Sequence, residues 1–250
     1  MSPTFRVPTQ ALGIALVCLA ALGCAAAPAK RDPRDPWERM NRTTYAVNEK
    51  LDHAIAKPIA KTYRKITPHF VQTGVSNFMD NLGYPIVFVN DLLQGKFKPF
   101  ASDVGRFLLN STVGVAGVFD PATDAGLAKN NEDFGLTMGK WGIHPGPYLV
   151  LPFLGPSDVR DGLGKGVDYF LNPQNYIRNR PVRYSLDGLY YLDARARLLD
   201  VEGALDNAYD RYAVLRSVYL QHRQYLVTEG AEPDEEPEDE APPDSEPPPK

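Results

Sequence analysis

The histidine, serine and carboxylate side chains of this 250-residue chain are spaced in ways that favour little covalent chemistry. His53, His69, His144 and His222 are far apart, and none forms an H-E-x-x-H pair that would put two imidazoles on one helix face, so no zinc site is expected. Gly155-Pro156-Ser157-Asp158-Val159 holds only the first half of a nucleophile elbow, and Ser157 is better suited to capping a helix. Gly162-Leu163-Gly164-Lys165-Gly166 is glycine-rich like a phosphate loop, yet no strand signal precedes it; helices packed backbone to backbone are expected instead. Asp120-Pro121-Ala122-Thr123-Asp124, followed by Asn130, Asn131, Glu132 and Asp133, gathers oxygen atoms of the kind calcium takes. Asx-rich turns and helix caps use the same residues, and that is the favoured expectation. No catalytic or metal-binding residue is assigned, and the chain is expected not to be an enzyme.

One thiol stands apart from this. Arg6 precedes a stretch from Val7 to Ala29 without charge, and its apolar core from Ala11 to Leu22 has the length of an export signal, so residues 1–23 read as a cleaved leader. Ala20-Ala21-Leu22-Gly23-Cys24 resembles a bacterial lipobox, with Ala21 where Leu is commonest; an uncleaved membrane anchor is the alternative. Cys18 would leave with the leader, so Cys24 would be the mature chain's only cysteine, without a disulfide partner. The lipobox implies S-linked diacylglycerol and an N-linked acyl chain on Cys24, with no other cofactor. Each buried methylene of those chains contributes roughly 0.8 kcal/mol to anchoring. Ala25 follows in place of the Asp that signals inner-membrane retention, which implies the outer membrane of a Gram-negative bacterium.

The elements beyond residue 24 begin with a short tether to residue 36. Met40, Tyr45, Val47, Leu51, Ile55 and Ile59 recur every three or four residues, with charges between them, which predicts an amphipathic helix broken near Lys57 by Pro58. Thr67-Pro68 predicts a helix start running to about Asn81. Asn81–Asn90, Phe107–Phe119 and Trp141–Ser157 lack charge, but none is a conventional membrane span. Ile86 to Leu93 and Phe107 to Phe119, joined across Gln94 to Pro99 and carrying Gly105, Gly114, Ala116 and Gly117, could pair as an apolar helical hairpin. Two core helices of a soluble bundle fit that pattern equally. Later helices are expected after Ser157, from Arg183 to Leu199, and from Asp206 or Asn207 to Gly230. Tyr148 to Leu151 is the one credible strand, too short to found a sheet, so the fold class is all-α with negligible sheet. Asn41, Arg42, Asn77, Asn81 and Asn110 lie on or beside apolar faces; a dry core must give each a partner, whereas beside an aqueous lumen water would do so.

Composition bounds the remaining choices. With 43% apolar and 10% aromatic residues the chain can build a sizeable core. Its net charge of −4 hides a division, because residues 231–250 hold nine acidic groups and one lysine, leaving the remainder mildly basic. That tail, with seven prolines, has no periodic apolar positions and is expected to stay disordered. The basic residues elsewhere are scattered among carboxylates, so nucleic acid is not expected as a partner.

A set of motifs then points to a family. Asp35-Pro36-Trp37-Glu38-Arg39-Met40-Asn41-Arg42, Ser76-Asn77-Phe78, Asn90-Asp91-Leu92-Leu93-Gln94-Gly95, Arg106-Phe107-Leu108-Leu109-Asn110-Ser111-Thr112-Val113-Gly114, Asp133-Phe134-Gly135-Leu136-Thr137 and Gly146-Pro147-Tyr148-Leu149-Val150-Leu151-Pro152 follow in order. Across about residues 35 to 230 the chain resembles the VacJ/MlaA family of outer-membrane lipoproteins, with Met40 where Phe is more usual. The resemblance implies a ring-like helical domain, residues 37–230, lying in the periplasmic leaflet of the outer membrane around an amphipathic channel. It further implies removal of stray phospholipids from the outer leaflet and their delivery to a soluble periplasmic carrier. That carrier would serve an inner-membrane ABC complex, with trimeric porins as neighbours. On that basis Asn41, Arg42, Val47 and Asn48 are candidates for the lipid route, and Phe88, Leu92, Val113 and Val115 for the membrane-embedded surface. A structural lipoprotein that tethers or braces porins is the alternative function.

Overall fold

The computed structural model describes residues 32–203 and 208–230. The leader, Cys24, the first part of the tether, the acidic tail, and Asp206 and Asn207 as a helix start all lie outside the described residues.

Helix α1, Glu38–Leu51, opens with an acidic residue and closes with Lys50, both complementing its dipole. No break follows. Asp52–Ala56 forms a single π-helical stretch that leads straight into α2, Lys57–Ile66. Pro58 sits at the start of α2, where the missing amide proton matters least, and the wider π turn before it accommodates the ring. Thr67 is extended and closes α2, its amide donating to the Tyr63 carbonyl at 2.9 Å, while Pro68 takes the cap position of the next helix and the Gln72 amide donates to the Thr67 carbonyl at 2.7 Å. Helix α3 then spans His69–Leu93, well past Asn81, with Pro85 inside it. Gly95, at φ 74°, supports the turn to α4, Phe97–Thr112. The two form the expected hairpin, with a longer first arm than the sequence indicates. The second arm ends early: residues 113–119 are a tight turn, not helix. Among the described residues no helix is long and apolar enough to cross a membrane.

Two short helices follow, α5 at Pro121–Asp124 and α6 at Phe134–Lys140, capped by Asp120 and Asp133. The acidic loop thus serves as caps, and each cap also pairs with an arginine: Asp120 with Arg106 at 2.7 Å and Asp133 with Arg223 at 2.6 Å. Strand β1, Tyr148–Leu151, does find a partner in β2, Gly155–Asp158, antiparallel with Tyr148 opposite Asp158. Phe153 and Gly155, both at positive φ, make the reversal. Ser157 is therefore a buried strand residue, and Asp158 caps α7, Val159–Leu171, by accepting from the Asp161 amide. A 3-10 turn, Pro173–Tyr176, leads to α8, Arg180–Leu198, which Asn179 caps three residues ahead of the expected start. Helix α9, Arg211–Thr228, is capped by Asp210.

Gly164 confirms close backbone packing between α6 and α7: a Cβ there would lie 2.5 Å from the Gly135 nitrogen. Packing closes into a circuit, from α1 through the π turn to α2, then α8, α3, α6, α9, β2, β1 and back to α1. The fold is helical with one two-stranded ribbon, as expected.

Candidate functional site

The interior of this circuit is unusually polar. Among the described residues fifteen polar or charged side chains are buried against nine apolar ones, while the exposed surface carries large aliphatic and aromatic groups on nearly every element. In water such an arrangement forfeits much of the hydrophobic effect; in contact with acyl chains it does not.

An apolar hollow of about 720 Å³ lies between the first half of α3 and the 113–119 turn. His69, Phe70, Thr73 and Asn77 face it from α3, and Val118 and Phe119 from the turn. The turn is held from both sides. Gly117, at φ 92°, sits against Asn81, where any Cβ would clash at 2.4 Å. Asn81 donates to the Ser111 hydroxyl at 2.9 Å, and Asn77 donates to the Val118 carbonyl at 3.3 Å. Asn110 closes the base, donating to Asp120 at 2.9 Å and accepting from the Ala122 amide at 3.0 Å. These asparagines thus find protein partners on a distant segment. Val115 and Ala116 adopt left-handed backbone, which for a β-branched residue stores strain.

Asp120 is the acidic group at the edge of this hollow. Burial raises its carboxyl, but hydrogen bonds from Thr123 and Asn110 and the Arg106 charge outweigh that and hold it below the usual range. Arg106 is itself buried, donating to the Tyr84 hydroxyl at 2.6 Å and to Asp120 through one nitrogen. With that charge matched internally, the hollow offers apolar walls and an engaged polar rim, a shape suited to an acyl chain.

The residues expected on the lipid route occupy a different place. Asn41 is fully buried: it donates to Asp35 at 2.8 Å and to the Tyr148 carbonyl at 3.0 Å, and accepts from the Val150 amide at 2.9 Å. Asn48, two turns on, donates to the Leu151 carbonyl and accepts from the Phe153 amide, both at 2.9 Å. The pair fastens the β-ribbon to α1. Arg42 bonds Glu38 at 2.7 Å and Asp210 at 2.7 and 3.1 Å, and lies 4.4 Å from the Tyr212 ring centroid. Its charge is matched by two carboxylates. Asp35 in turn accepts from Arg216 at 2.8 Å and from the Tyr212 hydroxyl, so the opening motif is one interlocked network. Val47 alone of the four is exposed with no polar role.

Of the expected surface residues, Leu92, Val113 and Val115 are exposed and Phe88 is half-buried, its ring 6.3 Å from Phe100 and 6.0 Å from Phe107. Val113 and Val115 share the turn that walls the apolar hollow. Phe70, Val118 and Phe119 were assigned to no site in the sequence; for Val118 and Phe119 the signal was an uncharged run interrupted by Gly114 and Gly117, which a tight turn needs and a helix does not, and for Phe70 there was none.

Comparison with known proteins accounts for this combination. The family model for the MlaA lipoprotein matches residues 33–226. The chain is 34% identical over 245 residues to the intermembrane phospholipid transport system lipoprotein MlaA of Escherichia coli (strain K12), covering 94% of each protein. It is 30% identical over 200 residues to the Haemophilus influenzae protein of the same name, covering 78% of this chain and 80% of the other. A solved structure from work on the structural basis for maintenance of bacterial outer membrane lipid asymmetry superposes with TM-score 0.70 at 32% identity, covering 79% of this chain and all of that one. The chain belongs to the MlaA lipoprotein family.

Proposed function

We propose that this protein is an outer-membrane lipoprotein that moves phospholipid between membranes and so maintains lipid asymmetry. The observation that carries the reading is the inverted distribution of polarity, a polar interior under an apolar exterior, in a chain aligned along 94% of its length with a named phospholipid-transport lipoprotein. In this reading the apolar surface lies among acyl chains of the periplasmic leaflet, and Cys24 carries the covalent lipid anchor. The hollow beside Phe70 and Phe119 accepts an acyl chain in transit. Phospholipid removed from the outer leaflet passes to a soluble periplasmic carrier and onward to an inner-membrane ABC complex, with a trimeric porin as neighbour. The driving force for transfer comes from outside this chain.

The test is reconstitution. Full-length protein in proteoliposomes, with and without a porin, should accelerate delivery of labelled phospholipid to the carrier. Phe119→Asp should slow that delivery while leaving membrane retention and helical content unchanged. If the folded protein accelerates transfer under no combination while porin binding persists, the tethering function replaces this one.

A further inference from the structure

A second, chemically opposite hollow is bordered by α2, the helix that precedes α3. Lys57, Lys61 and Arg64, at positions i, i+4 and i+7 of α2, share one helix face and border a hollow of about 410 Å³ completed by Leu199, Glu202 and Gly203. We propose that this hollow is a headgroup station, binding the phosphodiester of a phospholipid. The proposal rests on the phospholipid-transport reading and adds to it where the headgroup's charge is met.

Charge is the first argument. Glu202 is already shared, accepting from Lys57 at 2.7 Å and from Arg195 at 3.2 Å, and Arg195 is also paired with Asp52. Arg64 meets Asp200 at 2.6 Å, a pair exposed on both sides and therefore weak enough to exchange for another anion. Lys61 has no carboxylate partner among the described residues. In this cluster four cations, Lys57, Lys61, Arg64 and Arg195, thus meet three carboxylates, Asp52, Asp200 and Glu202, and Lys61 is the cation left over beside the hollow. A phosphodiester, with one negative charge and two free oxygens, restores the balance and can bridge Lys61 and Arg64 by charge-assisted hydrogen bonds.

Orientation is the second. Ile59 and Ile66, exposed by 53% and 72%, lie on nearly the opposite side of α2 from Lys57 at 100° per residue. Ala60, beside the basic face, is fully buried. One helix therefore presents an apolar strip to acyl chains and a basic pocket away from them. Exposed Leu198 and Val201 flank Leu199 at the pocket wall and offer contact to the glycerol end of a lipid.

The test is a lysine-reactivity footprint on the full-length protein in maltoside micelles, read residue by residue by mass spectrometry after limiting acetylation. Dihexanoyl phosphatidylglycerol should slow labelling of Lys61 by about threefold or more as it nears saturation, leaving exposed Lys98 unchanged. Dioctanoylglycerol, which lacks phosphate, and inorganic phosphate at the same concentration should not protect. Arg64→Gln should abolish protection without altering the footprint elsewhere, which separates lost binding from lost fold. Equal protection by inorganic phosphate would overturn the lipid assignment, and no protection by phosphatidylglycerol would overturn the station. Because the readout is binding alone, a transporter inactive in reconstitution but protected at Lys61 would refute the transport reading and leave the station standing.

Discussion

Asn41 satisfies one backbone amide and one backbone carbonyl more than a hundred residues away and one carboxylate six residues away, with no access to water. Removing such a side chain strands each of those groups, and a stranded buried group costs about 1–3 kcal/mol. Asn41→Ala is thus expected to destabilise the fold by about 3 kcal/mol in urea unfolding, whereas Val47→Ala, at an exposed position, stays within about 0.5 kcal/mol. Equal midpoints for Asn41→Ala and wild type would show that the ribbon is held by something else. A second residue acts through protons. Asp91 is fully buried, and burial first, then its contact with the Asp103 carboxyl and the charge of Glu132, push it up to about 8 despite Lys96 nearby. Asn130 fixes the other face of Asp103 by donating to it at 2.8 Å. Between the ordinary value of 3.8 and about 8 the folded chain holds a proton that the unfolded chain has lost. Stability should therefore fall as pH rises through that window and level off above it. Asp158 and Asp168, both raised to about 6 chiefly by burial, act in the same direction at lower pH. Asp91→Asn should flatten the slope between pH 6 and 8, measured as the difference from wild type in denaturant midpoints; an unchanged slope would show that the pair shares no proton.

At the scale of elements, the 113–119 turn joins α4 to α5 with strain in one place and tight packing in another. Left-handed backbone at Val115 costs roughly 1–2 kcal/mol that glycine avoids. Val115→Gly should accordingly stabilise the isolated fold by about 1 kcal/mol, after glycine's own entropy is counted. Gly164→Ala should act the other way, since its Cβ meets backbone of α6 and nothing there can give way; α6 and α7 should separate, seen as faster amide exchange in both. Protected amides in that variant would place the contact elsewhere. These elements also show what could be read ahead of the structure. Apolar residues at helical spacing made α1, α7 and α9 legible, because that period gathers apolar side chains on one face, although much of that face is exposed in the folded chain. Pro58 misled, since it follows a π turn inside a continuous helical run, an outcome decided by the neighbouring turn. The asparagines were recognisable as polar groups on apolar faces, but their partners, such as Tyr148 for Asn41, lie on segments that only the folded circuit brings near. For the same reason the hollow was not legible: Phe70 and Phe119 become neighbours only when the hairpin closes.

The whole molecule poses a question of solvent. A chain whose buried groups are mostly polar and whose surface displays Phe70, Phe97, Val113, Phe119, Phe153 and Phe170 gains less from folding in water alone, and in the proposed function that exterior is matched by lipid. The covalent anchor and the apolar surface would then be two separate attachments. Lipid chains on Cys24 would contribute roughly 0.8 kcal/mol per buried methylene, while the surface would contribute in proportion to the area it buries, at roughly 25 cal/mol per Å². If both act, losing one leaves the other. Cys24→Ser, expressed as mature-length protein, should still float with phospholipid vesicles in a density gradient. Adding Leu92→Asp and Val113→Asp to it should leave most of the protein at the bottom, because a carboxylate at either exposed position opposes burial among acyl chains. The same two substitutions with Cys24 intact should remain membrane-bound, held by the anchor. A Cys24→Ser chain that stays monomeric in detergent-free buffer and ignores vesicles would refute the second attachment, and with it the placement of this surface in lipid.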